Sequence, residues 1–130
     1  MLKAWEIGMW GGEIHPEFTS RPGDIVAQEH RCSRRFTNTD LDLLLKMHGI
    51  HKIIVIGRIA HTCVESTVRF AAERGYEVTV VKNAPADYSD DDMHAALEID
   101  LPNYASADVT TNEVVGLIAS CETVGTMARL

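Results

Sequence analysis

The amino-acid sequence predicts an α/β domain of three layers, with helices on both faces of a mainly parallel sheet. Three observations carry that prediction. Short apolar segments of strand length alternate with segments of helical periodicity. Ile53-Ile54-Val55-Ile56-Gly57 is a continuous apolar run, the pattern of a strand covered on both faces in a parallel sheet. Val64, Thr67, Val68, Ala71 and Ala72 then fall on one helical face, and Gly75 follows as the stop. Parallel strands joined by helices take right-handed crossovers, and their ligands gather at the carboxyl ends of the strands.

The elements follow in order. Residues 1–23 read as irregular. Pro22-Gly23-Asp24 is turn chemistry, and residues 25–29 (Ile-Val-Ala-Gln-Glu) read as a strand. A polar stretch over 30–38 leads into a helix that Asn38 or Thr39 caps, with Leu41, Leu44, Leu45 and His48 on one face and Gly49 at its end. The strand over 53–57 and the helix from Val64 come next. Residues 78–81 (Val-Thr-Val-Val) form a further strand, and Ser89 caps a helix carrying Met93, Ala96 and Leu97. Residues 107–110 read as a short strand, 112–120 as a last helix, and 121–130 as a frayed tail. No repeat or linker interrupts the chain, so residues 1–130 are expected to be one domain. The carboxyl ends of the strands select Glu29-His30, residues 57–63 and residues 82–87 as the rim on which a site would lie.

Composition narrows the function. The 130 residues carry 12 Lys plus Arg against 19 Asp plus Glu, a formal net charge of −7. That balance disfavours binding to nucleic acid or to an anionic membrane through net charge. Apolar residues make up 45%, enough for a globular core. Cys32, Cys63 and Cys121 are an odd number without CxxC spacing, which argues against a disulfide framework and points to a reducing compartment. No stretch has a signal-peptide pattern or the length to span a bilayer, so a cytoplasmic protein is expected.

Cys63 stands out among the reactive residues. It follows an apolar strand and opens the strongest helix, where free N–H groups and the helix dipole favour a thiolate and can hold an oxyanion. The alternative is a small apolar filler, since cysteine is often buried and inert. Residues 57–61 (Gly-Arg-Ile-Ala-His) match neither a dinucleotide nor a phosphate loop, so no cofactor is expected. The six histidines form no HxH or HExxH pair. His61, two residues before Cys63, and His30, at the end of a strand, are placed to shuttle a proton or bind substrate. His48 and His51 flank a helix end and read as structural. Asp90-Asp91-Asp92 sits at a helix start, where acidic residues complement the dipole rather than bind metal.

Residues 57–69 (Gly-Arg-Ile-Ala-His-Thr-Cys-Val-Glu-Ser-Thr-Val-Arg) resemble the nucleophile segment of the isochorismatase-like cysteine hydrolases, which include nicotinamidases and N-carbamoyl amidohydrolases. The flanks agree. Phe36-Thr37-Asn38-Thr39-Asp40-Leu41-Asp42 is similar to the family's F-x-x-T-x-L-D segment. Gly75-Tyr76-Glu77-Val78, Asn83-Ala84-Pro85-Ala86 and His94-Ala95-Ala96-Leu97 resemble the stretches after the nucleophile helix. Residues 12–17 are similar to the stretch before the family's third strand. The resemblance implies a Rossmann-like, isochorismatase-like hydrolase fold over nearly the whole chain.

It also implies a chemistry. A Cys63 thiolate attacks a carbonyl carbon, ammonia or an amine leaves, and water cleaves the thioester. The peptide between Ile59 and Ala60 corresponds to the family's cis bond, and the N–H groups of Ala60 and Cys63 to its oxyanion hole. Ile59, His61, His30 and Phe36 are expected to line the substrate. Two departures accompany this. Glu29 stands at the position of the family's lysine, and a carboxylate beside Cys63 opposes the thiolate. The family's first strand and its aspartate find no counterpart, so the fold is expected to be shortened at its N-terminal end. The expectation is therefore a cysteine hydrolase of a small amide or related C–N bond, with Glu29, His30 or His61 as base. The alternative is a catalytically impaired family member acting as an oligomeric small-molecule binding protein. No metal site is expected, because the histidine and aspartate ligands of nicotinamidases are not matched. A homo-oligomer is expected, since a sheet lacking its central strand must cover an edge.

Overall fold

A computed structural model of the chain describes Trp10, residues 13–27 and residues 36–123. Among these residues, three strands form a parallel sheet in the order β1-β2-β3: β1 is Lys52–Val55, β2 is Glu77–Val81 and β3 is Ala107–Val109. Ile53 pairs with Val78, and Val80 with Asp108. The helices α1 (Leu41–Met47), α2 (Glu65–Glu73), α3 (Asp90–His94) and α4 (Thr111–Thr123) alternate with the strands, giving the α/β architecture that the periodicity predicts.

Local chemistry explains the boundaries. The N-cap of α1 is Asp40, without a side-chain capping bond, and not Asn38 or Thr39 as expected; the Thr39 hydroxyl accepts the Leu41 N–H at 3.4 Å just ahead of it, and Leu45 turns inward. Gly75, at φ +86°, ends the run through α2 in a left-handed conformation that a side chain would disfavour. Ser89 caps α3 by accepting the Asp92 N–H at 3.1 Å. Beyond α3 the helix widens over Ala95–Asp100 and tightens to a single 3₁₀ turn over Leu101–Asn103, which turns Leu101 into the core.

The core sits between α2 and β2. Val68, Ala71 and Val78 are fully buried, with Val64, Val80 and Leu101 nearly so. Tyr76 closes one end against the Phe36 ring, centroids 5.6 Å apart. The Tyr76 hydroxyl donates to Asp42 Oδ1 at 2.9 Å, tying the start of β2 back to α1. Burial and that hydrogen bond push the Tyr76 hydroxyl up to about 12.

Three expectations change. Residues 25–27 form no strand, and residues 28–29 lie outside the described residues. Ile25 packs against the core while Val26 is 60% exposed, so the side chains alternate as in a strand, but among the described residues no strand pairs with them. A strand needs a ladder partner as well as an alternating pattern. β1 is not covered on both faces: Ile54 is 51% and Ile56 67% exposed. One face meets the core through Ile53 and Val55, and none of the described residues buries the other. Helix α4 extends to Thr123, past the predicted end at 120, and residues 124–130 of the expected frayed tail lie outside the described residues.

Candidate active site

Cys63 lies where the sequence places it, beyond the carboxyl end of β1. Its turn is not the ordinary start of an α-helix. Residues Ala60–Val64 form one wide π-turn, and α2 begins only at Glu65. Such wide turns are rare and are often found at functional sites. Gly57 makes the approach feasible, because a Cβ there would meet Val64 Cγ2 at 3.1 Å. Ile59 enters the turn at φ 64°, ψ 79°, a left-handed conformation that is unusual for a β-branched residue. The expected cis bond between Ile59 and Ala60 is absent. The peptide is trans, and the left-handed Ile59 makes the sharp change of direction instead.

The Cys63 sulfur is half-buried and accepts a hydrogen bond from the Thr62 hydroxyl at 3.6 Å. The Cys63 carbonyl accepts from the Thr67 hydroxyl at 2.7 Å, which fixes the turn to α2. The fully buried Ala60 donates its N–H to the Ala86 carbonyl at 3.3 Å, at the long end for such a bond. In this geometry that N–H is occupied, so it would have to leave Ala86 before it could receive an oxyanion.

The segment after β2 meets this turn. The Ile59 N–H donates to the Ala86 carbonyl at 2.8 Å, and the His61 N–H to Asp87 Oδ2 at 2.8 Å. The His61 ring places Nδ1 2.6 Å from Asp87 Oδ1, which also accepts the Tyr88 N–H at 2.8 Å. The Asp87 side chain is fully buried and that of His61 is 31% exposed. Burial alone would raise the Asp87 carboxyl. The N–H groups of His61 and Tyr88 and the His61 ring outweigh it and hold the carboxyl below its ordinary range. The Tyr88 ring stands edge-on to His61, centroids 5.9 Å apart.

His61, Asp87 and Asp92 offer ligand atoms within 4.8 Å of one another. Three N–H donors already engage the Asp87 oxygens, and Asp92 accepts from the Ser89 hydroxyl at 2.7 Å. These bonds account for the cluster as a hydrogen-bonded corner of the fold.

The structure therefore brings Cys63, Ala60, Ile59 and His61 together in one turn. It places Phe36 elsewhere: that ring is 3% exposed, in the core against Tyr76, where its apolar bulk is best satisfied. Glu29 and His30 lie outside the described residues. Asn83 accepts the Thr111 N–H at 2.7 Å and its hydroxyl at 2.9 Å, anchoring the start of α4. Asp87 lay on the predicted rim, but nothing in its spacing marked it. Only the fold brings it, 26 residues away, onto His61.

The fold and site define an α/β domain on a parallel sheet, with Cys63 in a constrained turn beyond the carboxyl end of a strand. The chain belongs to the isochorismatase family, whose domain model matches residues 2–113. It is 34% identical over 97 residues to a secreted isochorismatase effector, Isc1, of Verticillium dahliae, covering 75% of this chain and 50% of that protein. It is 28% identical over 117 residues to the ureidoacrylate amidohydrolase RutB of Agrobacterium fabrum, covering 90% of this chain and 51% of that one. The crystal structure of an isochorismatase-like hydrolase from Alkaliphilus metalliredigens superposes with a TM-score of 0.75 at 28% identity, over 84% of this chain and 59% of the other. The chain thus spans about half the length of the curated relatives it matches.

Proposed function

We propose that this chain carries the nucleophile of an isochorismatase-family hydrolase that cleaves a small amide or related C–N bond. The observation that carries this reading is the position of Cys63 in a wide, constrained turn at the carboxyl end of β1. The amidohydrolase activity in the name of one relative supports the substrate class. The Cys63 sulfur forms a bond to the carbonyl carbon, the amine leaves with a proton, and water then breaks the C–S bond to release the acid. Of the expected bases, Glu29 or His30 takes the thiol proton. His61 acts at the substrate side, since residues two apart on a helical turn do not share a face. Ile59 lines the site through its backbone, and the N–H groups of Ala60 and Cys63 receive the oxyanion once Ala60 releases Ala86. The protein needs no cofactor or metal for these steps, works in the cytoplasm, and assembles as a homo-oligomer. None of the described helices is long and apolar enough to cross a membrane.

Thiol labelling tests the nucleophile. Near neutral pH, iodoacetamide should modify Cys63 faster than Cys32 and Cys121, read by peptide mass spectrometry. Equal rates would sink the activated-thiol reading. Hydrolysis of a panel of small amides should be abolished by Cys63→Ala. Turnover that survives the substitution would remove Cys63 from the chemistry.

A further inference from the structure

We propose that Asp87 is the positioning residue of the Cys63 turn. Its buried carboxylate, together with the neighbouring Ala86 carbonyl, clamps Ile59, Ala60 and His61 in the shape that presents Cys63. This rests on the reading of Cys63 as nucleophile and goes beyond it by naming what holds the nucleophile in place.

Four hydrogen bonds make the clamp. The Ala86 carbonyl accepts the N–H groups of Ile59 at 2.8 Å and Ala60 at 3.3 Å. The Asp87 carboxylate takes the His61 N–H at 2.8 Å on one oxygen and the His61 ring Nδ1 at 2.6 Å on the other. Three consecutive residues of the turn are therefore fixed by two consecutive residues from the next strand's loop. A left-handed Ile persists only where its surroundings over-determine it, and these bonds supply that constraint from outside the turn. The Tyr88 N–H, donating to the same Asp87 oxygen as the ring, holds the carboxylate itself in place. With the carboxylate accepting at Nδ1, the ring nitrogen bearing that proton is fixed, and Nε2 is left on the far edge of a partly exposed ring. His61 and Cys63 are two apart and do not face each other, so Asp87 acts on the cysteine through the backbone. Asp87 touches no reacting atom in this arrangement, and its contribution is geometric.

The test compares Asp87→Asn and Asp87→Ala with the unaltered chain, reading the rate of Cys63 alkylation relative to Cys32 and Cys121. Tyr76→Phe serves as a control that loses stability at the amino end of β2, away from the turn. Asp87→Ala should slow Cys63 by about tenfold or more, since small misplacements of a reacting group are costly in rate. Asp87→Asn, which keeps one acceptor oxygen and loses the charge, should fall between. Tyr76→Phe should leave the ratio unchanged. If Asp87→Ala does not fold, Asp87→Asn alone decides. A Cys63 rate equal to that of the unaltered chain in a folded Asp87 variant overturns the proposal. Hydrogen exchange at the His61 amide separates the two readings. If Cys63 of the unaltered chain is no faster than the other thiols, the nucleophile reading fails. Faster His61 exchange in the variant then still supports the clamp, and unchanged exchange overturns it.

Discussion

Helices α2 and α4 both follow a parallel strand, yet they are treated differently by the fold. Helix α2 mixes Glu65, Arg69 and Glu73 with small apolar residues, and buries Thr67, Val68 and Ala71. Helix α4 is richer in large aliphatic side chains, yet Val115 and Leu117 are 58% and 59% exposed, and only Val114 of its described side chains is buried. Apolar content alone does not decide burial. What decides it is whether a sheet face lies under the helix: α2 packs on β2, while among the described residues α4 is held chiefly by polar bonds at its first turn from Asn83 and between Thr110 and Glu113. The dense side carries the candidate site, and the Cys63 turn borrows its rigidity from α2 on one side and from the loop after β2 on the other.

The largest test of this contrast is Val68→Ala. Val68 is fully buried, so the lost contacts and the residual cavity should cost about 2 kcal/mol of unfolding free energy, read from urea midpoints at constant m-value. A loss as small as that of an exposed site would erase the distinction between the two helices. Tyr76→Phe comes next. It removes the hydroxyl bond to Asp42 at the edge of the same dense core and should cost about 1 kcal/mol by the same measurement.

The pH response of Asp87 sharpens the same side of the comparison. Its folded carboxyl lies below the ordinary aspartate value near 3.8, so the stability it contributes is complete above that value and is lost as the pH falls toward the folded value. Asp42, Asp108 and Glu113 are lowered too and share the acid limb. The difference between the unaltered chain and Asp87→Asn should therefore shrink with acidification below that value. A constant difference down to low pH would show that the charge on Asp87 is idle. The smallest effect is expected in α4, where Leu117→Ala should change stability by less than about 0.5 kcal/mol. A loss matching that of Val68→Ala would show α4 to be packed after all.

Much of this architecture is legible in the chain. The apolar run at Ile53, the 3.6-residue stripe from Val64 to Ala71, the stop at Gly75 and the Ser89 cap are local patterns. Local patterns survive because they reflect backbone propensity and a single buried face. Cys63 was legible for the same reason, as a residue just past a strand and ahead of a strong helix. The misses have a common cause. Residues 25–27 carry a strand's alternation without a described partner, and the apolar run at β1 presents Ile54 outward. Both depend on what lies beside the segment, which periodicity does not report. Phe36 reads as a site residue from the motif around it, but its ring is worth more against Tyr76 in the core.

By itself the sequence determined the alternation of strands and helices, the caps and stops between them, and the one cysteine worth singling out. These follow from side-chain periodicity and from glycine and serine chemistry within a few residues. Only the tertiary structure decided that the turn around Cys63 is a wide π-turn with a left-handed Ile59, and that Ala86 and Asp87 hold it. Hydrogen bonds between segments 26 residues apart arise from the crossover that sets β2 beside β1, and no local pattern encodes which carboxylate that crossover delivers.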